Sequence, residues 1–481
     1  MKLRKNVLVR LLILGLYLSV GTYPAKAVEI LEGEEWMGIY FKGKKLGFSR
    51  TLTSRKGNGF RIDSKFYFRL HSDGADQVTS FTQETELGTD LKLKNFSLLQ
   101  EIMGNRHQTN GYLEDDVLVM DISSTGFRRE KRIPFRSGAV LSSTFGINLV
   151  LEGLEVGRKG IRPVFIEALR TFSEMEYEIQ GRQKIPYGDA MVNAFVVRNV
   201  IAGMESILWI APDGTVLREF SQDGFESIRE PEEKARDIGN EVVSVSSFIT
   251  MSLVKPQHEI KNPHKVRRMK VELLNLKSRD SILADQRQKV LKIEPFQKGF
   301  KVTLKVETER KKIAETRFME YFADSTMLDD TSEIQSKHPK IKALAVEISS
   351  KEKDAWQTAQ AINEWVFLNL EKVLVDNFTA MDALNQRKGE CQSHTNLFVA
   401  LARAAGIPSR VISGLVYSNE YKGFLYHAWP EVYVGGWRAM DPTLGQNVVD
   451  ATHIKLGVGD QQGPLKLMEF IGKIQIHLLE H

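Results

Sequence analysis

Arg387-Lys-Gly-Glu-Cys391-Gln-Ser-His-Thr-Asn-Leu-Phe-Val-Ala-Leu-Ala-Arg-Ala-Ala-Gly406-Ile-Pro408 is the stretch whose reading decides the fold. Gly389 marks a turn. The run from Cys391 to Ala405 is apolar on most sides and predicts a largely buried helix, which Gly406 and Pro408 stop. Cys391 therefore lies in the first turn of that helix, where the positive end of the helix dipole favours a thiolate. It is the single cysteine of the 481-residue chain. An intramolecular disulfide and a multi-cysteine zinc site are excluded.

Working downstream, two further segments carry chemistry: Tyr426-His427-Ala-Trp429-Pro-Glu431-Val-Tyr433, and Trp437-Arg-Ala-Met-Asp441-Pro442-Thr443. Gly435-Gly436 between them is a turn signal, so they read as neighbouring antiparallel strands. Arg410 to Tyr417 reads as the strand before them. A thiol, an imidazole and a carboxylate in this setting suit nucleophilic acyl transfer. Cys391 attacks an amide or ester carbonyl, His427 takes and returns the proton, and Asp441 orients the imidazole and stabilises its cation. The backbone N–H of Cys391 is placed to donate to a developing oxyanion. Strand parity sets a condition. A two-residue turn at Gly435-Gly436 would put Leu444 opposite His427 and Asp441 on the other face. A bulge or a differently centred turn is therefore expected between Pro430 and Asp441.

The Gly-x-Cys helix opening, the Arg-Ala-Ala-Gly-Ile-Pro-Ser-Arg stretch, His-Ala-Trp-Pro-Glu-Val and Trp-x-x-x-Asp-Pro-Thr together resemble the bacterial transglutaminase-like family, over about residues 350–460. The resemblance implies a papain-like cysteine fold, and it implies Cys391, His427 and Asp441 as nucleophile, base and orienting acid. The Trp-x-Gly-x-Tyr opening of the upstream region resembles exported bacterial proteins that carry this domain at their C-terminal end. Near these motifs, His394 shares a helix face with Cys391 and reads as a structural neighbour of the site. His453 reads as a packing residue, with a place on the rim of the site as the alternative. Trp429 and Trp437 read as core or pocket wall, and Asn385 and Gln386 are candidates for a second oxyanion donor. No cofactor is implied. No calcium-loop pattern occurs, and metal ligation is not expected.

Further upstream the text is rich in short strands. Trp36 to Phe41 before Lys42-Gly43, Phe60 to Leu70, Val117 to Met120, Ala194 to Val200, and Ile207 to Ile210 before Pro212-Asp-Gly and Val216 to Phe220 all read this way. They predict an antiparallel β-sandwich or open-barrel domain over 28–235. A charged, proline-marked join and three alternating strands (Val266 to Leu276, Lys289 to Ile293, Phe300 to Val306) predict a small β-rich domain and linker over 236–335. An α+β domain over 336–481 follows. Residues 1–27 have the form of a secretory signal: basic Lys2, Arg4, Lys5 and Arg10, an apolar stretch from Leu11 to Val20, and Ala25-Lys26-Ala27. Without it, basic and acidic residues balance at 61 each, so charge gives no reason to expect nucleic acid.

The expectation is an exported protein, periplasmic or extracellular, with no integral membrane span after cleavage. Its expected partner is a protein or peptide substrate cut or joined through a thiol. The rival expectation is a non-catalytic envelope binding or scaffold protein that retains the domain. No feature of the sequence sets the oligomeric state.

Overall fold

The computed structural model describes residues 32–72, 75–102, 104–239, 252–309, 325–373, 379–459 and 462–481. The expected export segment at 1–27 lies outside them. The chain divides into two compact units, one holding the strands up to Arg229 and the other chiefly Phe248–His481.

Successive hairpins build the first unit. Gly33–Phe41 pairs with Lys44–Lys56, and Met204–Ile210 with Val216–Ser221, as their turn signals require. Chain neighbours are sheet neighbours through two meanders, and these join where the first strand pairs with the last, Met37 opposite Arg229. The result is one 15-stranded sheet, antiparallel apart from the short pairing of Val140–Leu141 with Lys159–Ile166. Its halves meet face to face: the Phe96 and Phe165 rings lie 6.2 Å apart, and Gln83 Nε2 donates to Glu167 Oε1 at 3.1 Å. The antiparallel β-rich region is thus a single curled sheet rather than two separate ones.

The second unit is organised by the helix Cys391–Ala404. Leu397, Phe398, Val399, Ala400, Leu401 and Ala402 have no exposed surface. A helix apolar on all sides must be covered on all sides. Pro339–Ser349, Ala355–Asn369 and Ala380–Gln386 pack on it, as do strands Ser409–Ser418 and Gly423–Tyr433. The covering helices start at standard signals: a proline in the first turn at Pro339, and side-chain caps from Asp354 and Thr379. The central helix ends with Ile407 N–H bonded to the Ala402 carbonyl at 2.8 Å. Beside it runs an antiparallel sheet in the order Trp437–Ala439, Gly423–Tyr433, Ser409–Ser418, Ile454–Val458.

The expected boundary at 335/336 does not divide this unit. The strands Gln288–Phe296, Gly299–Glu307 and Arg268–Leu276 form a second sheet whose fourth member is Gln475–Glu480, with Val271 opposite Leu478. Val271, Leu273, Val302 and Leu304 share one core with Leu415, Phe424, Ile454 and Leu456. A domain cut there would expose that core. Among the described residues, no helix is long and apolar enough to cross a membrane.

Leu401→Ala is expected to cost about 2–5 kcal/mol of stability through lost burial and a residual cavity. Val346→Ala, at a side chain 66% exposed, should stay within about 0.5 kcal/mol. Denaturant unfolding followed by circular dichroism checks both.

Candidate active site

The approach to the thiol is tightly built. Gly389 pairs with Lys372 in a short parallel bridge. A Cβ on Gly389 would lie 2.2 Å from Ser393 Cβ, so glycine alone lets the chain pass this close to the first turn of the helix. Glu390 is extended, and its carbonyl accepts from the His394 backbone N–H at 3.1 Å and from His394 Nδ1 at 2.8 Å. The Cys391 thiol, 2% exposed, donates to Glu390 Oε2 at 3.6 Å. Burial drives the pKa of His394 down to about 4, with the Lys372 charge acting in the same direction. His394 is therefore a neutral donor that ties the helix start to its own backbone, and a poor base near neutrality.

His427 lies opposite Gly414 within the strand Gly423–Tyr433 and has no exposed surface. The turn after this strand is centred on Gly435, whose φ of 73° suits glycine, and Tyr433 pairs with Trp437, Val432 with Arg438 and Glu431 with Ala439. Continued, that register sets Asp441 across from Trp429, on the face His427 shares. The differently centred turn thus removes the parity conflict. Asp441 is not itself on a strand, as its motif suggested. The ladder stops at Ala439, and Asp441 exchanges backbone hydrogen bonds with Gln446 instead.

Leaving the ladder frees the carboxylate to be surrounded. Asp441 Oδ1 accepts from the N–H groups of Thr443 at 2.8 Å and Leu444 at 2.9 Å. Oδ2 accepts from His427 Nε2 at 2.8 Å and from His453 Nε2 at 3.1 Å. The Trp429 ring stacks 6.1 Å from His427 and stands edge-on 5.2 Å from His453. His453 is therefore part of the cluster and not a rim residue, while Asn385 and Gln386 are exposed at the end of their helix. His427, Asp441 and His453 bring three donor atoms within 4.8 Å of one another, a spacing that would also suit a metal ion. Their hydrogen bonds to each other already account for this convergence.

Burial alone would raise the pKa of Asp441. The charges and hydrogen bonds of His427 and His453 outweigh it and hold the carboxyl well below the usual range. Asp450 behaves alike, held down chiefly by His453. The Asp441 charge also acts on Lys372 and His394, in the direction that raises their pKa.

Residues 342–442 match the transglutaminase-like superfamily. The chain carries a transglutaminase-like domain at its C-terminal end. The match includes Cys391, His427 and Asp441 and stops short of His453. The chain is similar to the kyphoscoliosis peptidase of Mus musculus, 32% identical over 87 residues that cover 16% of this chain and 13% of the peptidase. It is also similar to an uncharacterized protein of Mycobacterium leprae, 33% identical over 88 residues that cover 17% of this chain and 31% of that protein. The chain spans less than a third of the length of the curated relatives it matches. Among solved structures, a proposed cysteine protease from Cytophaga hutchinsonii overlays with a TM-score of 0.33 at 18% identity, across 45% of this chain and 92% of that one.

Two residues beside the transglutaminase-like thiol escaped the sequence reading. Glu390 was visible as an acid next to Cys391 but has meaning only once its carboxylate is seen to face the sulfur. Lys372 is brought in by the two-residue bridge to Gly389, too short to leave a sequence pattern.

The pKa of His394 fixes a stability window. It lies below the unfolded value of about 6.5, so the stability contributed by the neutral ring is complete above pH ~6.5. That contribution should be lost as pH falls toward 4. Asp441 and Asp450, also depressed, lose theirs only below the ordinary carboxylate range near pH ~4. His394→Gln is expected to flatten the decline between pH 6.5 and 4 and to leave the steeper loss below it, as read from urea midpoints across that range.

Proposed function

We propose that the transglutaminase-like domain is an exported cysteine-dependent acyl-transfer enzyme acting on amide bonds of proteins or peptides outside the cytoplasm. Cys391 is the nucleophile, His427 the base and Asp441 the orienting acid. The observation that carries this reading is the buried His427–Asp441 hydrogen bond, in a domain whose central helix starts on the only thiol of the chain. Asp441 engages Nε2, which assigns Nδ1 of His427 to the thiol proton. The thiolate attacks the carbonyl carbon, the C–N bond breaks, and the imidazolium returns its proton to the leaving amine. The thioester is then resolved by water or by a second amine. Hydrolysis is the favoured outcome, because water is always present and transfer to lysine needs a shaped acceptor channel. The signal-like segment at 1–27 supports a substrate outside the cytoplasm.

One observation favours the non-catalytic reading, in which the domain is a scaffold for a binding sheet: Cys391 is 2% exposed and His427 is wholly covered. Labelling with a thiol-directed peptide electrophile separates the two. For an enzyme, the folded wild type labels at Cys391, Cys391→Ala does not, and His427→Ala slows labelling by about 10²–10⁴-fold. Asp441→Asn should retain Cys391 labelling at a reduced rate. Label that enters only after unfolding, at a rate indifferent to His427, leaves the scaffold.

A further inference from the structure

His453 has no exposed surface and sits between two carboxylates. Nε2 lies 3.1 Å from Asp441 Oδ2 and Nδ1 lies 3.3 Å from Asp450 Oδ1. A neutral imidazole keeps one nitrogen as a bare acceptor, and either choice here would aim a lone pair at a carboxylate oxygen. Both contacts are satisfied only by the doubly protonated ring. Neither carboxylate is free to turn away. Asp441 Oδ1 is held by Thr443 and Leu444, while Asp450 Oδ1 accepts from Thr452 N at 2.8 Å and Oγ1 at 2.6 Å, and its Oδ2 accepts from Gln446 Nε2 at 2.8 Å.

Among the described residues, few other charged or titratable groups stand around His453. Arg287 Nη2 donates to the carbonyls of Asp450 at 3.1 Å and His453 at 3.4 Å. The half-exposed His264 stands 3.6 Å from Asp450 Oδ2. The Asp441 charge in turn acts on Lys372 and His394. The His427 ring is centred 6.0 Å away. Burial by itself would lower the pKa of His453, but Asp450 and then Asp441 reverse the effect and raise it.

We propose that His453 is a positioning residue that remains an imidazolium at neutral pH and, by sharing Oδ2 of Asp441 with His427, lowers the basicity of His427. A fixed cation this close opposes a second cation on His427 and draws off part of the Asp441 charge that would stabilise it. The same cation favours the thiolate. Both limbs of the pH profile of Cys391 therefore lie lower than a lone His–Asp pair would set them. The proposal rests on His427 being the base.

The test is the pH dependence of Cys391 alkylation by iodoacetamide in the full chain, for wild type, His453→Gln and His427→Ala. It is joined by ¹⁵N NMR of the histidine rings of wild type and His427→Ala at pH 8. His453→Gln should move both limbs upward, the His427 limb by about one pH unit, from the loss of a charge whose ring centre lies 6.0 Å from that of His427. The NMR spectrum should show a doubly protonated ring that stays doubly protonated in His427→Ala and so belongs to a histidine other than His427. Unmoved limbs in a folded His453→Gln overturn the proposal alone, because His427→Ala would still alter the wild-type profile. If His453→Gln does not fold, the wild-type spectrum decides, and neutral rings throughout overturn it. A wild-type profile with one limb near 8.5 that His427→Ala leaves unchanged is a different result: it removes the base, and the proposal falls with the activity.

Discussion

Asp441 is an ionised carboxylate with no exposed surface, and the geometry of the site follows from the need to keep it so. Taking such a group out of water costs several kcal/mol unless its lone pairs are met. Four donors meet them: two backbone N–H groups of its own turn, one imidazole from a neighbouring strand and one from a loop further on. Charge-assisted hydrogen bonds of this kind are roughly twice as strong as neutral ones. The carboxylate therefore ties three separate stretches of chain to one point. Pro442, which has no N–H to offer, turns the backbone so that the next two amides face the preceding side chain.

At the thiol two fields oppose each other. The helix start favours the anion by about 0.3–1 kcal/mol, while the Glu390 carboxylate 3.6 Å from the sulfur accepts the thiol proton and disfavours the anion. The two effects have opposite signs. In the proposed mechanism a base removes the proton at the moment of attack. His427, wholly buried, is the base assigned to that step in the proposed function.

What the sequence made legible is what depends on local order. The apolar run from Cys391 specified its helix to within a residue, because a helix buried on every side leaves no ambiguous face. The strands around Arg410 and His427 were equally plain. The parity conflict at Asp441 was legible too, since alternation is a property of any strand, and it called for the turn centred on Gly435. The clamp on His453 was not. Asp450-Ala-Thr-His is an unremarkable loop until the chain returns it to Asp441, and no spacing rule encodes that return. The pairing of Gln475–Glu480 with Arg268–Leu276 escaped for the same reason. Each strand alternates normally, and nothing in either names a partner about two hundred residues away.

That distant pairing makes the small sheet part of the site's scaffold. Gln288, at the start of its strand, uses both ends of its amide on one residue: Oε1 accepts from Lys455 N at 2.9 Å and Nε2 donates to Lys455 O at 2.8 Å. A side chain thus fills ladder positions along the strand Ile454–Val458, an edge of its own sheet. Next to it Arg287 holds the carbonyls of Asp450 and His453, while the buried Lys455 ammonium is shared by Asp285 and Glu431. Glu431 in turn is gripped by Arg410 at 2.7 Å. Buried ion pairs are weak evidence of net stability, but removing one partner leaves an uncompensated charge at a cost of about 3–5 kcal/mol. Residues 285–288 therefore fix 450–455 in one position, and that position is what brings His453 within 3.1 Å of Asp441. A thiol domain trimmed at 336 would keep Cys391, His427 and Asp441, yet lose the segment that presents the second imidazole to their shared carboxylate.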